Sequence, residues 1–243
     1  MIIPTSLGKE PLLEAICEFR FSSKTKSVVD LLPGILYQEF RGKYKNIYTL
    51  PAKNLPLQVL EENSSLRYTP TIRLEGEPYS IQIGEHVISL SCRKPYTGWG
   101  KFKLEIESLV AKLGETGLIT NPERYSLKYI DIIPEEVRTS LDSLNVEVRL
   151  GGHNVTKESF RLRTEKEEEG YIHIIQVGLP ATAELPNGAK FQGISLEIDT
   201  IRKPASDFWN DFSASIDKAH ELNKNLFFSL LSDETMKTLE PKW

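Results

Sequence analysis

The sequence has few of the residues that build disulfides and metal centres. Among its 243 residues are two cysteines and four histidines. Cys17 and Cys92 lie far apart in apolar, strand-like segments, which is typical of buried, reduced thiols. The histidines have none of the paired spacings that zinc sites use; they are His86, His153, His173 and His220. The sequence therefore predicts no metal site and no cofactor.

Long apolar runs and catalytic signatures are also missing. No apolar segment approaches the roughly 20 residues that cross a bilayer. Pro4, Lys9 and Glu10 interrupt the apolar stretch that a signal peptide would need. We therefore expect a cytoplasmic protein that has no membrane partner. A P-loop, a GxSxG elbow and a GxGxxG turn after a strand are all missing, so no motif assigns a catalytic residue.

The net charge of −4 argues against a protein that coats nucleic acid over a whole face. Local basic corners remain, and two of them share one pattern. A strand ends at Arg93-Lys94-Pro95 and leads into a helix that begins near Trp99. About 110 residues later, a strand ends at Arg202-Lys203-Pro204 and leads to Trp209. This repetition predicts an internal duplication of one strand–corner–helix segment.

Alternation of apolar and polar residues predicts most of the strands. Pro11–Phe21 alternates over its whole length, and Arg124–Ile133 does the same. Between Arg67 and Arg93, strands follow each other through short turns and must be antiparallel. Leu57–Glu61 is predicted to be a short strand. The acidic run Thr164–Gly170 is predicted to be a solvated hairpin tip.

Helical spacing appears in Val28–Phe40, in the segment from Trp99 to about Leu113, and in Ser206–Leu231. We predict an α+β fold of two related halves, residues 1–134 and 135–243. Each half has antiparallel strands with a long helix packed on one face. We expect the halves to pack together as one unit.

The apolar stripe of the C-terminal helix contains two polar residues. Asn223 lies near the centre of the stripe, and His220 lies on its edge. A polar side chain in a packing face must find a hydrogen-bond partner or open onto a cavity. Both interpretations stay open at this point.

The basic corners are candidate anion sites. A helix N-terminus offers free N–H groups and the positive end of a dipole, and arginine can bind phosphate through two parallel hydrogen bonds. The alternative is that these residues only keep the strand ends soluble. The candidate anion-binding residues are Arg93, Lys94, Tyr96, Lys101, Arg202 and Lys203.

Four segments carry a resemblance to a known family. They read PLLEAICEFRF from Pro11, YTGWGKF from Tyr96, RYSLKYIDII from Arg124 and AHELNKNLFFSLL from Ala219. With these segments the chain resembles a sporadically distributed, uncharacterised prokaryotic family. Lys128 stands where that family more usually has arginine. The resemblance implies no catalytic residue, and it points to accessory, stress or defence functions.

Three functions follow as hypotheses. The first is a non-enzymatic binding or regulatory module, which acts on a protein partner or as a homodimer formed through exposed sheet edges. The second is a binder of an anionic small molecule, a nucleotide or a nucleic-acid end at the basic corners. The third is a hydrolase or nuclease whose site combines carboxylates with a histidine on different elements; its candidates are Glu14, Glu18, Asp131 and His220.

Overall fold

The computed structural model describes residues 3–24, 27–134, 140–204 and 207–243. Ser206, the predicted first residue of the C-terminal helix, lies outside these ranges. The sequence also predicts a short helical segment at 135–144, and its first part, 135–139, lies outside these ranges as well. Leu141–Ser143 forms a turn of 3-10 helix.

The described residues form an α+β fold of strands and helices in mixed order. The strands are β1 (Ser6–Leu7), β2 (Leu12–Ser22), β3 (Tyr44–Thr49), β4 (Ile72–Gly76), β5 (Tyr79–Ile83), β6 (Val87–Arg93), β7 (Asn121–Pro134), β8 (Val148–Leu150), β9 (His153–Val155), β10 (Phe160–Glu168), β11 (Tyr171–Glu184), β12 (Lys190–Arg202) and β13 (Pro241–Lys242). The helices are α1 (Val28–Glu39), α2 (Leu57–Glu62), α3 (Trp99–Thr116), α4 (Phe208–Leu230) and α5 (Asp233–Thr238).

One large sheet contains nine of these strands, in the order β10-β11-β12-β7-β2-β6-β5-β4-β3. The pairs β10–β11, β2–β6, β6–β5, β5–β4 and β4–β3 are antiparallel. The predicted α+β class and its antiparallel strands are confirmed.

The chain forms two compact units. The first unit comprises Glu14–Leu127 and Ile201–Ile216, and the second comprises Met1–Leu13, Lys128–Thr200 and Asp217–Trp243. Several long strands and α4 contribute residues to both. The division into halves at residue 134 stays a prediction.

The core of the first unit follows from the two periodicities of its elements. The inward residues of β2 and the stripe of α3 are buried because they repeat every second residue and every third or fourth residue, respectively. Phe19 of β2 also packs against Phe212 of α4, with ring centroids 5.3 Å apart. The buried residues of β2 and α3 include Ala15, Cys17, Phe19, Phe21, Phe102, Ile106, Leu109 and Leu113.

The second unit has its own apolar cluster. Alternate residues of β11 and β12 meet the C-terminal part of α4 there. The cluster includes Ile175, Val177, Leu179, Ile194, Leu196, Ile198, Leu226 and Phe228. Asn145 ties the loop before β8 to this unit, because its Nδ2 donates to the carbonyl of Leu231 at 2.8 Å.

One prediction about local structure is wrong: Leu57–Glu62 is helical and not a strand. Pro56 precedes it in an extended conformation, and leucine, glutamine and glutamate favour a helix. The acidic run Thr164–Gly170 does form an exposed hairpin tip, but its turn is short, because β10 continues to Glu168 and only Glu169 and Gly170 turn with positive φ. Pairing along β11 and the ion pair between Lys166 and Glu168, 2.7 Å apart, hold these charged residues in the strand.

Candidate functional site

A pocket of about 250 Å³ lies in the first unit. Four stretches of the chain line it. They are the beginning of α1 (27–30), the segment that leads into α2 (53–61), the segment before β4 (67–71) and the β5–β6 turn (85–86). The sheet end and two helices therefore bring together residues that are far apart in the sequence.

Glu85 connects the β5–β6 turn to the beginning of α1. Its Oε1 accepts hydrogen bonds from the N–H groups of Ser27 at 2.8 Å and Val28 at 3.1 Å, and its Oε2 accepts one from Val29 at 3.3 Å. Ser27 has a left-handed φ of 84° and makes no side-chain cap of its own. Since the first N–H groups of a helix lack intrahelical acceptors and carry partial positive charge, the carboxylate supplies both the acceptor and the opposite charge. Glu85 is only 8% exposed.

A close backbone approach shapes the same turn. The Gly84 N–H donates to the carbonyl of Val87 at 2.8 Å. A Cβ atom at Gly84 would lie 2.6 Å from the carbonyl oxygen of Thr69, well inside a normal contact. Thr69 lines the pocket as well. Glycine at this position therefore lets the turn approach the segment before β4.

Three polar side-chain atoms of residues that line the pocket are covered by other atoms and have no hydrogen-bond partners among the described residues. They are the Thr71 hydroxyl, Nδ1 of His86 and Nε of Arg67. Thr71 is 4% exposed. The main chain of His86 is fixed because its carbonyl accepts from the N–H of Phe21 at 3.1 Å. Buried polar groups normally have partners, so three unpaired ones beside one pocket distinguish this place.

The charged residues of the pocket have opposite charges near them. Lys53 lies 3.2 Å from Asp30, and the Arg67 guanidinium lies 3.8 Å from the carboxylate of Glu123. The lining has three carboxylates and two basic side chains, so its formal charge is −1 with neutral histidine. These ionisable lining residues are Asp30, Glu61, Glu85, Lys53 and Arg67.

An apolar wall faces these polar groups. Val29 and Leu60 are buried, whereas Leu55 and Leu57 are exposed at the opening. A concave site that combines an apolar wall with a few polar groups is the usual form of a small-molecule site.

The first basic corner has its arginine engaged with carboxylates. Arg93 Nη1 lies 2.6 Å from Glu75, and its Nε lies 3.8 Å from Glu14. Its Nη2 is 3.5 Å from the hydroxyl of the buried Ser80. The guanidinium therefore lies along the polar face of the sheet, over β5 and β4.

The rest of this corner surrounds the beginning of α3. Gly98 precedes the helix with a φ of 89°, and Lys101 is exposed in the first turn. Lys94 is half-buried before it. Tyr96 packs edge-on against Phe102, with ring centroids 6.0 Å apart. Tyr96 therefore contacts the core with its ring.

The second basic corner lies at a smaller pocket of about 170 Å³ in the same unit. Arg202 lines this pocket together with Asp211 and Ser215. Lys203 is exposed beside it.

Asn223 has hydrogen-bond partners inside the second unit. Its Nδ2 donates to the carbonyl of Ile198 at 3.0 Å and to the hydroxyl of Thr200 at 2.9 Å. The same hydroxyl lies 2.9 Å from Nδ1 of His173. Asn223 is 1% exposed. Burial lowers the pKa of His173, so the neutral imidazole fits this network.

His220 pairs with Tyr129, whose hydroxyl lies 2.9 Å from His220 Nδ1. Burial, and secondly the positive charge of Lys224, lower the pKa of His220 to about 4, against the opposing effect of Asp217. His220 is therefore neutral at pH 7.

The carboxylates of the hydrolase hypothesis are held by other groups. Oε1 of Glu18 lies 2.7 Å from Nε of Arg20 and 3.3 Å from Nη2 of Arg124. Glu14 has Arg93 nearby. Asp131 is buried and belongs, like His220, to the second unit. Glu14 and Glu18 therefore have arginine partners within the first unit.

Within the described ranges, no group of three histidine, cysteine, aspartate or glutamate side chains is placed to hold a metal ion. Cys17 and Cys92 are buried, and neither forms a disulfide bond. None of the helices in these ranges is long and apolar enough to cross a membrane.

The pocket was not predicted from the sequence, because its residues come from four separate stretches. Leu57–Glu61 is predicted to be a strand and forms a helix instead. The position of His86 in a turn predicts solvent exposure, whereas the residue is half-buried. One of the short turns predicted between Arg67 and Arg93 does form here, since Gly84-Glu85-His86 separates β5 from β6. That the Glu85 carboxylate reaches a helix more than 50 residues earlier has no local signal in the sequence.

Comparison with known protein families and with curated proteins gave no match for this chain.

Proposed function

We propose that this protein is a non-enzymatic binding module that takes up a small polar molecule in the first-unit pocket. One observation carries the proposal: the buried hydroxyl of Thr71 and the buried nitrogens of His86 and Arg67 have no partners among the described residues, and all three residues line one cavity.

The energetics favour a ligand at this place. A buried polar group without a partner costs about 1–3 kcal/mol. A molecule that hydrogen-bonds to these groups recovers part of that cost. Burial of its apolar part against Val29 and Leu60 adds about 25 cal/mol per Å² of apolar surface removed from water.

The same contacts argue for binding rather than catalysis. Nucleophilic catalysis needs a hydroxyl within hydrogen-bond reach of a base. The Thr71 hydroxyl and Nδ1 of His86 do not hydrogen-bond to each other in this structure. The carboxylate of Glu85 already accepts three backbone hydrogen bonds. The pocket therefore supplies recognition groups without an activated nucleophile.

A fragment screen observed on the protein tests the proposal without presupposing the charge of the ligand. The probe is a library balanced among neutral, anionic and cationic compounds, added to ¹⁵N-labelled protein. We expect hits to shift the amide signals of Thr71, Glu85 and His86. A screen in which no compound of any charge perturbs these amides would overturn the proposal.

The basic corners are a second candidate binding site, for anions. Their repetition in the sequence is also the basis for the proposed internal duplication. The supporting observation is that Arg202 lines a pocket of about 170 Å³. If this corner binds anions, Arg202→Ala should weaken binding of inorganic pyrophosphate, and added salt should weaken binding by the unaltered protein more than by the variant. Equal affinity and equal salt dependence in both proteins would remove this candidate.

The resemblance supports the proposal that the module serves an accessory, stress or defence function. A separate observation, an edge strand of the sheet, supports the proposal that it forms a homodimer. β3 is a terminal strand of the sheet order, and its Ile47 is 50% exposed. An unpaired edge of this kind can pair with a second copy. Light scattering after gel filtration should then show a dimer, and Ile47→Lys should convert it to a monomer. A monomeric unaltered protein would refute the dimer.

A further inference from the structure

We infer that the ligand of the first-unit pocket is an uncharged molecule with an amide-type carbonyl group beside an apolar ring or chain. This inference rests on the proposed function and adds the chemical class of the ligand. It follows from which groups of the pocket are already paired and which are not.

Anions are disfavoured because the positive groups of the pocket have carboxylates beside them. Lys53 lies 3.2 Å from Asp30, and the Arg67 guanidinium lies 3.8 Å from Glu123. The positive end of α1 is occupied by Glu85, which accepts from three of its first N–H groups. An incoming carboxylate or phosphate would have to displace Glu85 or share the Arg67 guanidinium with Glu123, which brings two negative charges to one positive charge.

Cations are disfavoured because the positively charged side chain of Arg67 has an N–H group that lacks an acceptor in the described part of the chain. Nε–H of Arg67 is a donor on a permanently charged side chain, and it is buried without an acceptor among the described residues. A cation brings no acceptor to it and is repelled by its charge. Of the carboxylates that could attract a cation, Asp30 is engaged by a lysine and Glu85 by a helix terminus. The third, Glu61, is exposed to solvent, which screens its charge.

An uncharged amide fits the groups that remain. When a side-chain movement on binding uncovers these buried atoms, its carbonyl oxygen accepts from the Arg67 N–H, and its own N–H groups donate to Nδ1 of His86 or to the Thr71 hydroxyl, which serve as acceptors. An attached ring or chain packs against Val29 and Leu60. Both ends of such a molecule match the two walls of the pocket.

Three compounds of nearly equal shape separate the charge classes: benzamide is neutral, benzoate is an anion and benzamidinium is a cation at pH 7. Their dissociation constants are measured by titration calorimetry at fixed ionic strength. We expect benzamide to bind at least about tenfold more tightly than the other two, a difference of about 1.4 kcal/mol. Tighter binding of benzoate or benzamidinium, or no binding by any of the three, would overturn the inferred class.

The variant Thr71→Val localises the binding. Valine keeps the shape of threonine and removes a hydroxyl that has no partner among the described residues, so the free energy of unfolding should stay the same or rise. Benzamide affinity should fall about fivefold to tenfold, the usual effect of one lost hydrogen bond. The matched control is Thr49→Val, an exposed position outside the pocket, which should change neither quantity.

The two levels of the proposal fail in different ways. Fragment hits at the pocket amides together with tighter binding of a charged probe would refute the neutral amide and keep the binding module. An absence of any fragment at these amides would refute both. Benzamide affinity that is unchanged in Thr71→Val would show that the amide binds elsewhere, which contradicts the inference.

Discussion

Glu85 gives the sharpest test of how the pocket is built. The substitution Glu85→Ala removes the acceptor for the N–H groups of Ser27, Val28 and Val29. Loss of an N-terminal cap costs about 0.5–2 kcal/mol, and a buried donor left without an acceptor costs about 1–3 kcal/mol. Because both figures describe the same bonds, we expect a total loss of about 2–3 kcal/mol in the free energy of unfolding.

The substitution Glu85→Gln keeps two of the three hydrogen bonds and removes the charge. The amide oxygen of glutamine can still accept from the N–H groups of Ser27 and Val28, but its NH2 group cannot accept from Val29, and the negative charge that faces the helix dipole is gone. Such a charge at a helix N-terminus contributes about 0.3–1 kcal/mol, and up to about 2 kcal/mol when it is partly buried. We therefore expect Glu85→Gln to cost about 1–2 kcal/mol, less than Glu85→Ala.

Urea unfolding followed by tryptophan fluorescence is a suitable assay. Trp99 and Trp209 both lie in the first unit, whereas Trp243 belongs to the second and is exposed. The signal therefore reports mainly on the unit that contains Glu85. In a thermal scan, the expected loss for Glu85→Ala corresponds to a fall in Tm of about 4–12 °C, at about 2–4 °C per kcal/mol for a chain of this size.

Glu61→Ala is the matched control, because Glu61 lines the same pocket and is exposed. Its effect should stay within about 0.5 kcal/mol. If Glu85→Ala destabilised the protein no more than Glu61→Ala, the capping role of Glu85 would be refuted. If Glu85→Gln cost as much as Glu85→Ala, the amide oxygen would not replace the carboxylate as an acceptor, and the separation into two contributions would be wrong.

Three further predictions concern other parts of the protein. Burial lowers the pKa of His220 from 6.5 to about 4. Below pH 6.5 the unfolded chain therefore gains a proton that the folded chain does not, so about 3 kcal/mol of stability present above pH 6.5 is lost towards pH 4. His220→Gln should remove this part of the pH dependence in urea melts and leave the part due to His173, whose pKa burial also lowers. Gly84→Ala should cost about 1–3 kcal/mol, because its Cβ would meet the Thr69 carbonyl oxygen at 2.6 Å. A double-mutant cycle to alanine at Arg93 and Glu75, 2.6 Å apart, should give a coupling of about 0.5–2 kcal/mol that weakens in salt.

Each of these predictions has an outcome that contradicts it. The control His153→Gln changes an exposed histidine, and an equal flattening of the pH profile by this variant would show that His220 is not the responsible group. Unaltered stability of Gly84→Ala would mean that the turn can move away from Thr69 at no cost. Additive effects of the Arg93 and Glu75 substitutions would mean that their ion pair adds nothing.

Local sequence pattern determined most of the elements of this fold. The strand predicted before the first basic corner forms as β6 and ends at Arg93. The strand predicted at Pro11–Phe21 forms at Leu12–Ser22. The helix after Trp99 also forms, at Trp99–Thr116. These segments alternate, or repeat at helical spacing, over many residues, so burial of one face and local propensity favour the same structure. Leu57–Glu62 is too short to show a period, and its helix could not be recognised from apolar residues alone.

Only the tertiary structure decided where polar side chains meet. The residues next to Arg93 in the sequence predict a basic corner. Its guanidinium nevertheless pairs with Glu75 on β4, because the order β4-β5-β6 places the two residues on one face of the sheet. Thr71 and Glu85 show no pattern along the chain, and they line one pocket because the fold returns the β5–β6 turn to the beginning of α1. Periodic burial is a property of neighbouring residues and can be predicted from sequence. A hydrogen bond between residues more than 50 positions apart depends on strand order and helix placement, which local pattern does not contain.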